Sequence, residues 1–103
     1  MAQSSLPRLS DKERLILELL VEHGDLYGLQ LVAASRRRLK RGSVYVTLNR
    51  MVEKGFVDSE VGPRAPSDTG LPRPLYRPTA LGKRVLRAWA TLARDLAWNQ
   101  EPA

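Results

Sequence analysis

The sequence predicts a mainly α-helical fold with a small β-hairpin, and three observations support this fold class. Three helical patterns follow one another between Ser10 and Lys54, joined by short turns. A strand-like run, a loop rich in proline and glycine, and a second short strand come next. A last helical pattern carries an apolar stripe of its own. This order predicts a winged helix-turn-helix over residues 8–78, followed by a separate helix over residues 79–98.

The first two helices are predicted from their capping signals. Ser10 and Glu13 have the spacing of a capping box, so the first helix begins after Ser10. It runs through LILELLVEHG and ends at Gly24, a residue type that favours helix termination. Asp25 is predicted to cap a second helix from Leu26 to about Ser35.

The third helix lies in the segment GSVYVTLNRMVEKGFVDSE, residues 42–60. Helical periodicity places one set of side chains on a common buried face: Val44, Leu48, Met51 and Val52. The opposite face carries Ser43, Val46, Asn49, Arg50 and Glu53. A helix with one buried face and one polar, cationic face can pack on a domain and still enter the major groove of DNA.

A wing is predicted after Gly55, which ends the third helix. Residues 56–61 read as a strand and residues 75–77 as a short return strand. The loop between them carries Arg64 and Arg73, which we expect to reach the adjacent minor groove or the DNA backbone. The alternative is a basic loop without a role in binding.

The last helix is predicted to hold a dimer together. Thr79 can cap it, and its apolar stripe consists of Leu81, Val85, Trp89, Leu92 and Leu96. Because the winged domain is complete before this helix, the stripe needs another surface, and a twin helix from a second subunit would supply it.

The distribution of charge indicates a polyanionic partner. The chain has 103 residues and a net charge of +6. Residues 36–54 hold seven basic side chains and one acidic side chain, Glu53. The net charge of this segment is therefore +6, equal to that of the whole chain. We therefore predict double-stranded DNA as the partner. The candidate DNA-binding residues are Arg37, Arg38, Lys40, Arg41, Ser43, Tyr45, Val46, Asn49, Arg50, Arg64 and Arg73.

Other functional classes lack their signals in the sequence. There is no cysteine and only one histidine, His23, so neither a disulfide framework nor a metal site is expected. No nucleophile–base pair, glycine-rich phosphate loop or paired carboxylates point to an enzyme, and no cofactor is expected. The chain has no apolar run of the ~20 residues that a membrane helix requires and no secretion signal, which predicts a cytoplasmic protein.

Four segments in order resemble the PadR-like transcriptional regulators: ILELL, YGLQL, GSVYVTLNRMVEKGFVDSE and PRPLYRPTALGKRVL. The resemblance covers about Leu15 to Trp89. It implies a dimeric winged helix-turn-helix protein, usually a repressor, whose C-terminal helix makes the dimer. One short C-terminal helix is similar to the small subgroup of that family. Some small regulators of that family bind flat aromatic or cationic compounds between subunits, and Trp89 could stack on such an effector instead of serving only as interface core.

Two positions depart from the family pattern. Pro78 stands before the threonine where the family usually has leucine, and Arg50-Met51 stands where it often has arginine and leucine. The first departure affects the end of the wing strand, and the second conserves volume in the core.

The function predicted from these observations is that of a sequence-specific transcriptional regulator, a repressor acting as a homodimer on a pseudo-palindromic operator. Two alternatives remain open at this point. One is a winged helix used as a protein–protein interaction module, and the other is an architectural DNA binder with little sequence preference. The sequence alone does not give the operator, the regulated gene, whether an effector exists, or whether the regulator represses or activates.

Overall fold

A computed structural model of the chain describes residues 8–61 and 73–100, with side chains up to residue 96. Within these residues the fold has four helices and three strands. In chain order they are α1 (Asp11–His23), β1 (Leu26–Tyr27), α2 (Gly28–Ala34), α3 (Arg41–Lys54), β2 (Val57–Val61), β3 (Pro74–Pro78) and α4 (Ala80–Gln100). The predicted fold class, helices with a small antiparallel sheet in a winged arrangement, is confirmed.

Helix α1 begins and ends as its capping signals predict. The backbone amide of Glu13 donates to Ser10 Oγ at 3.2 Å, and the amide of Ser10 donates to Glu13 Oε1 at 2.9 Å. This reciprocal pair is the capping box, which satisfies two amides that the helix leaves without partners. Gly24 follows the helix with φ of 88°, a conformation that glycine adopts without steric cost.

The prediction that Asp25 caps a helix starting at Leu26 is wrong. Leu26 and Tyr27 instead form β1, which pairs antiparallel with β3. The strand register places Leu26 opposite Tyr76 and Tyr27 opposite Leu75. Pairing with a strand far along the chain therefore overrides the local helical pattern, and α2 starts two residues later than predicted.

The sheet contains the predicted wing hairpin and this additional short strand. Its order is β1-β3-β2, with both pairings antiparallel. In the hairpin, Val57 lies opposite Pro78 and Val61 opposite Pro74. The return strand thus lies in the centre of the sheet, where it connects the wing to the helix-turn-helix.

One hydrophobic core joins the helices and the sheet. Helix α1 runs through it, and three of its side chains, Ile16, Leu17 and Leu20, are at most 1% exposed. The core is completed from every other helix and from the sheet, by Leu31, Leu48, Met51, Phe56, Tyr76 and Val85 among others. Burying each large aliphatic side chain stabilises the fold by roughly 1.5–3 kcal/mol, so this core holds α2 and α3 in place.

Candidate nucleic-acid interface

Helix α3 is anchored by one face and presents the other. Val44, Leu48 and Met51 are at most 1% exposed, which confirms most of the predicted buried stripe. The prediction that Val52 belongs to it is wrong, since Val52 is 37% exposed. Val52 lies seven residues after Tyr45, on the same exposed edge of the helix, so the buried face is narrower than predicted.

The outer face of α3 carries polar side chains around one exposed apolar group. Tyr45, Asn49 and Arg50 are exposed, and Ser43 is half-buried near the start of the helix. Val46 is 58% exposed. Asparagine and arginine can pair with the edges of adenine and guanine, and a small apolar side chain can contact the methyl group of thymine. The face therefore has the groups needed to read base edges.

A groove of about 710 Å³ runs along one flank of α3. The start of α2 forms one wall, Tyr45 and Asn49 of α3 form another, and Arg73 with Tyr76 closes it from the side of β3. The structure thus brings Tyr45 and Asn49 of α3 together with Arg73 beside β3, and the sequence assigned all three to DNA binding. Arg64, predicted to act with Arg73, lies outside the described residues.

The contribution of α2 to this groove was missed from the sequence. Tyr27 and Leu29 line it with 39% and 45% of their surface exposed. Gly28, between them, is buried against Tyr45, and a Cβ there would lie 2.6 Å from ring carbons of Tyr45. A glycine is therefore needed to seat the tyrosine ring. The sequence signal is the segment YGLQL, in which exposed apolar residues flank that glycine.

Tyr76 supports Tyr45 from below. It is 3% exposed and pairs through its backbone with β1 and β2. Burial raises the pKa of the Tyr76 phenol, and the nearby phenol of Tyr45 raises it further. Tyr76 therefore remains neutral at the base of the groove, while Tyr27 and Tyr45, each 39% exposed, are the tyrosines accessible from solvent.

Arg50 lies on another flank of α3, beside the N-terminus of α1. It lines a second groove, of about 510 Å³, with Ser43 and residues 10–13. Neighbours in a helix point about 100° apart, so Asn49 and Arg50 face different flanks although they are adjacent in sequence. The structure does not bring Arg50 together with Arg73.

An ion pair with a buried carboxylate holds the C-terminal end of α3 against α1. Lys54 Nζ donates to Glu13 Oε2 at 2.8 Å, and the Glu13 side chain is only 4% exposed. Burial alone raises the pKa of Glu13, but hydrogen bonds from Lys54 and from the amide of Ser10 outweigh it, so the net pKa is lowered. Glu13 is therefore ionised at neutral pH, and the charge of Lys54 is used within the protein.

The turn between α2 and α3 holds two arginines in a left-handed backbone conformation. The φ angles are 55° at Arg36 and 74° at Arg37, which cost residues other than glycine about 1–2 kcal/mol each. The hydroxyl of Ser35 maintains the turn by donating to the carbonyl of Val32 at 2.7 Å and accepting from the amide of Leu39 at 2.9 Å. Because arginine has no conformational advantage here, its presence suggests a role other than folding.

The basic residues before α3 separate into two groups. Lys40 and Arg41 are exposed at the start of α3, next to its presented face. Arg38 instead lines a groove with Glu18 and Glu22 of α1. The structure does not bring Arg38 to the outer face of α3, which leaves Lys40 and Arg41 as the cations nearest the helix start.

The apolar stripe of α4 is only partly available to a second subunit. Val85 is 4% exposed and lies in the core of the winged domain, because the start of α4 packs on α1. This corrects the expectation that the winged domain has no need to bury the stripe. Trp89 is half-buried and packs against the same core, and Leu92 is half-buried. Leu81 and Leu96 are 37% and 49% exposed.

Within residues 8–61 and 73–100, no three histidine, cysteine, aspartate or glutamate side chains come together in a way that could hold a metal ion. In the same part of the chain, no helix combines the length and the apolar character needed to cross a membrane.

The fold has clear counterparts among known proteins. A PadR family transcription regulator from Clostridium difficile superimposes with a TM-score of 0.70 at 28% identity, over 85% of this chain and 92% of that one. A PadR family transcriptional regulator from Eggerthella lenta gives 0.60 at 27% identity, over 86% and 82%. A protein with a GntR superfamily winged-helix-turn-helix domain from Halomicrobium mukohataei shares the fold, with a TM-score of 0.64 at 22% identity over 92% and 70%.

The family of this chain follows from a match that covers most of its length. No curated protein matches the chain. Residues 16–88, which run from α1 into α4, match the transcriptional regulator PadR-like family. The matched residues include the whole of α3 and the walls of the groove between α2, α3 and β3, which we call the tyrosine-lined groove after Tyr27, Tyr45 and Tyr76. The chain therefore belongs to the PadR-like family of transcriptional regulators, which bind DNA and are not enzymes.

Proposed function

We propose that this protein is a homodimeric repressor that occupies a pseudo-palindromic operator. The observation that carries the proposal is the division of α3 into a buried anchor and an outer face with Val46, Asn49 and Arg50 exposed. In a dimer, two such helices enter successive major grooves on one side of the DNA. Occupancy of the operator then blocks access of RNA polymerase.

Base recognition is assigned to three side chains of α3. Asn49 pairs with adenine and Arg50 with guanine through two hydrogen bonds each, and Val46 contacts a thymine methyl group between them. Since Asn49 and Arg50 point about 100° apart on the helix and line different grooves, they contact different base pairs. The half-site is therefore expected to contain an adenine and a guanine separated by the thymine that Val46 reads.

Contacts to the DNA backbone are assigned to the residues around this face. The Tyr45 hydroxyl is positioned by Gly28 and Tyr76 and meets a phosphate at the groove. Lys40 and Arg41 approach phosphates at the start of α3, and Arg73 does so from the base of the wing. Such contacts fix the orientation of the protein and contribute little sequence preference.

Dimerisation is assigned to the part of α4 beyond its contact with the winged domain. The α4 side chains that belong to the core or pack on it, Val85, Leu86 and Trp89, all precede residue 90. Leu96 lies on the same helical stripe and is 49% exposed. Burying such a side chain against a twin helix is favourable by roughly 25 cal/mol for each Å² of apolar surface, before the costs of association.

The first experiment selects bound sequences from a random DNA pool and measures affinity for the result. A pseudo-palindrome is expected, and the affinity should fall steeply with salt. If the dimer neutralises ~8 phosphates, the slope of log affinity against log salt should be about −7. A slope near zero, or selection of no common sequence, would contradict operator recognition.

A second experiment tests the roles within α3. Asn49→Ala and Arg50→Ala should each cost about 1–3 kcal/mol on the selected site and relax the preference at one position of the half-site. Arg87→Ala is the matched control, because Arg87 is exposed on α4 and carries the same charge as Arg50. Equal loss of specificity in the control would mean that charge alone, not position on α3, governs recognition.

A third experiment tests the dimer. Leu96→Glu places a charge on the exposed part of the stripe, where burial without a partner is costly. We expect a folded monomer with weakened operator binding. Thr91→Glu, which adds the same charge on an exposed residue of the opposite side of α4, should remain a dimer. Sedimentation of both variants decides the point, and a dimeric Leu96→Glu protein would place the interface elsewhere.

An effector site at Trp89 is proposed with the dimer. The side chain is half-buried beside the winged domain, so a flat aromatic or cationic compound held between subunits could stack on its remaining surface. The chain has two tryptophans, so a Trp98→Phe variant makes Trp89 the sole indole. Saturable quenching of its fluorescence by planar cationic compounds, together with a change in operator affinity, is expected. Quenching without such a change would exclude an effector role.

A further inference from the structure

Thr79 joins the end of α3 to the beginning of α4. Its hydroxyl donates to the carbonyl of Gly55 at 2.6 Å and accepts from the amide of Gly82 at 2.9 Å. Its own amide donates to the carbonyl of Phe56 at 3.0 Å. One residue therefore caps α4 and, at the same time, occupies carbonyl groups just beyond the last turn of α3.

Gly82 brings the two segments into direct backbone contact. It is buried in the first turn of α4, and a Cβ on it would collide with the carbonyl oxygen of Phe56 and lie 3.1 Å from the side chain of Leu17. Only glycine permits this approach. Because Phe56 is 2% exposed and part of the core, it has little freedom to move away.

These contacts join the residues that follow α3 directly to the start of α4. The carbonyls that Thr79 occupies belong to Gly55, which ends α3 in a left-handed conformation with φ of 80°, and to Phe56. The hydrogen bonds and the glycine contact act at the same place and, together with the packing of α4 on α1, fix the angle between α3 and α4. We call this contact the α3–α4 joint. It comprises Gly55, Phe56, Thr79 and Gly82.

We propose that Thr79 and Gly82 are positioning residues that determine which half-site spacing the repressor accepts. The inference rests on the proposed function, in which α4 forms the dimer and α3 enters the major groove. With α4 fixed in the dimer, the α3–α4 joint sets the separation and relative rotation of the two α3 helices. Half-sites are centred one helical turn apart or a multiple of it, and one inserted base pair moves a half-site by about 3.4 Å and rotates it by about 35°. A rigid joint penalises that change, and a loosened joint accommodates it.

Thr79→Asp tests the joint while keeping the cap of α4. An aspartate accepts a hydrogen bond from the Gly82 amide as a good N-cap does, but an ionised carboxylate has no proton to donate to the Gly55 carbonyl. The measurement is the ratio of affinities for the selected operator and for versions with one base pair inserted or deleted at its centre. We expect the ratio to fall by about fivefold, the factor that corresponds to one ordinary hydrogen bond. Using a ratio removes the general effect of the added charge on DNA affinity.

Two controls separate the joint from general effects on stability. Thr79→Ser keeps both hydrogen bonds of the hydroxyl and should keep the wild-type ratio. Ser10→Asp introduces the same residue at the N-cap of α1, away from the joint, and should also keep it. Sedimentation and circular dichroism verify that each protein is a folded dimer. A folded Thr79→Asp dimer with the wild-type ratio, or a Ser10→Asp protein with the same loss, would overturn the inference.

Gly82→Ala provides a second variant. The added methyl group forces α4 away from Phe56, so the preferred spacing should shift to the altered operator. A folded Gly82→Ala dimer with unchanged preferred spacing would count against the joint. The spacing preference of the wild type separates failure of the proposed dimeric function from failure of this inference. If the wild-type protein binds a single half-site or ignores spacing, the proposed dimeric function fails together with this inference. If the wild type prefers one half-site spacing and the variants keep that same preference, the inference alone fails.

Discussion

Replacing Glu13 by glutamine should destabilise the protein more than any other single change of an acidic side chain on α1. Glutamine keeps an oxygen that can accept from the amide of Ser10, so the capping box survives in part. The charge that holds Lys54 at 2.8 Å is lost. The substitution therefore isolates the ionic contact between α1 and the end of α3 from the rest of the packing.

The expected loss follows from the burial of the two partners. A hydrogen bond to a charged group contributes about 1.5–3 kcal/mol to the free energy of unfolding. Glu13 is 4% exposed but Lys54 is 37% exposed, so solvent screens part of the interaction and about 1–2 kcal/mol is expected. Arg14 and Glu18 supply the comparison on the same helix: they lie 3.9 Å apart and are 45% and 52% exposed. Glu18→Gln should cost no more than about 0.5 kcal/mol.

The assay is urea unfolding of the wild type and both variants at a series of pH values. Because the folded-state pKa of Glu13 is lowered, its contribution is present above the pKa of the unfolded state. It is lost as the pH falls through the folded-state pKa. The gap between wild type and Glu13→Gln should therefore be full at neutral pH and close in acid. The gap to Glu18→Gln should be small throughout.

Two results would refute this reasoning. If Glu13→Gln costs no more than Glu18→Gln at neutral pH, the ion pair with a buried carboxylate contributes nothing beyond an exposed one. If the Glu13→Gln gap persists unchanged in acid, the loss comes from packing of the amide and not from the missing charge.

Three further predictions concern the interface and its support. Gly28→Ala should displace the ring of Tyr45 and weaken DNA binding by about 1 kcal/mol, comparable to one lost hydrogen bond, with little change in melting temperature because an exposed ring can move. Arg37→Gly should raise the free energy of unfolding by about 1 kcal/mol, because glycine adopts positive φ without cost, while weakening binding to specific and random DNA alike. The pKa of the Tyr76 phenol is raised in the folded state. The wild type should therefore lose stability as the pH rises above about 10, the ordinary phenol pKa, because the unfolded chain then releases this proton more readily than the folded protein. Tyr76→Phe should lack this alkaline loss in urea titrations.

The parts of the fold that follow from local chemistry were predictable. The capping box at Ser10 and the terminating Gly24 and Gly55 act on neighbouring residues only, and the helices begin or end where these signals stand. The anchor of α3 was predictable for the same reason, because a period of 3.6 residues brings Leu48 and Met51 onto one face.

The missed features depend on residues far apart in the chain. Leu26 becomes a strand because Tyr76 lies opposite to it, and no local pattern contains that partner. Val85 is buried in the winged domain because α4 packs on α1. An apolar stripe on a helix predicts that its surface will be buried. It does not show whether the same chain or a second subunit covers it. The tyrosine-lined groove was also missed because it depends on tertiary packing. Tyr27 and Tyr45 line it together only after α2 and α3 have packed.

The central position of β3 in the sheet has a consequence for biosynthesis. β3 pairs with β1, some fifty residues earlier in the chain, and its Tyr76 lies beneath the surface that α3 presents. Chains emerge from the ribosome at about 5–20 residues per second, with N-terminal parts first. The first three helices are therefore exposed for several seconds before their sheet and groove can be completed. A nascent chain at that stage lacks Tyr76 beneath Tyr45, so the proposed DNA-binding surface is complete only after β3 has emerged.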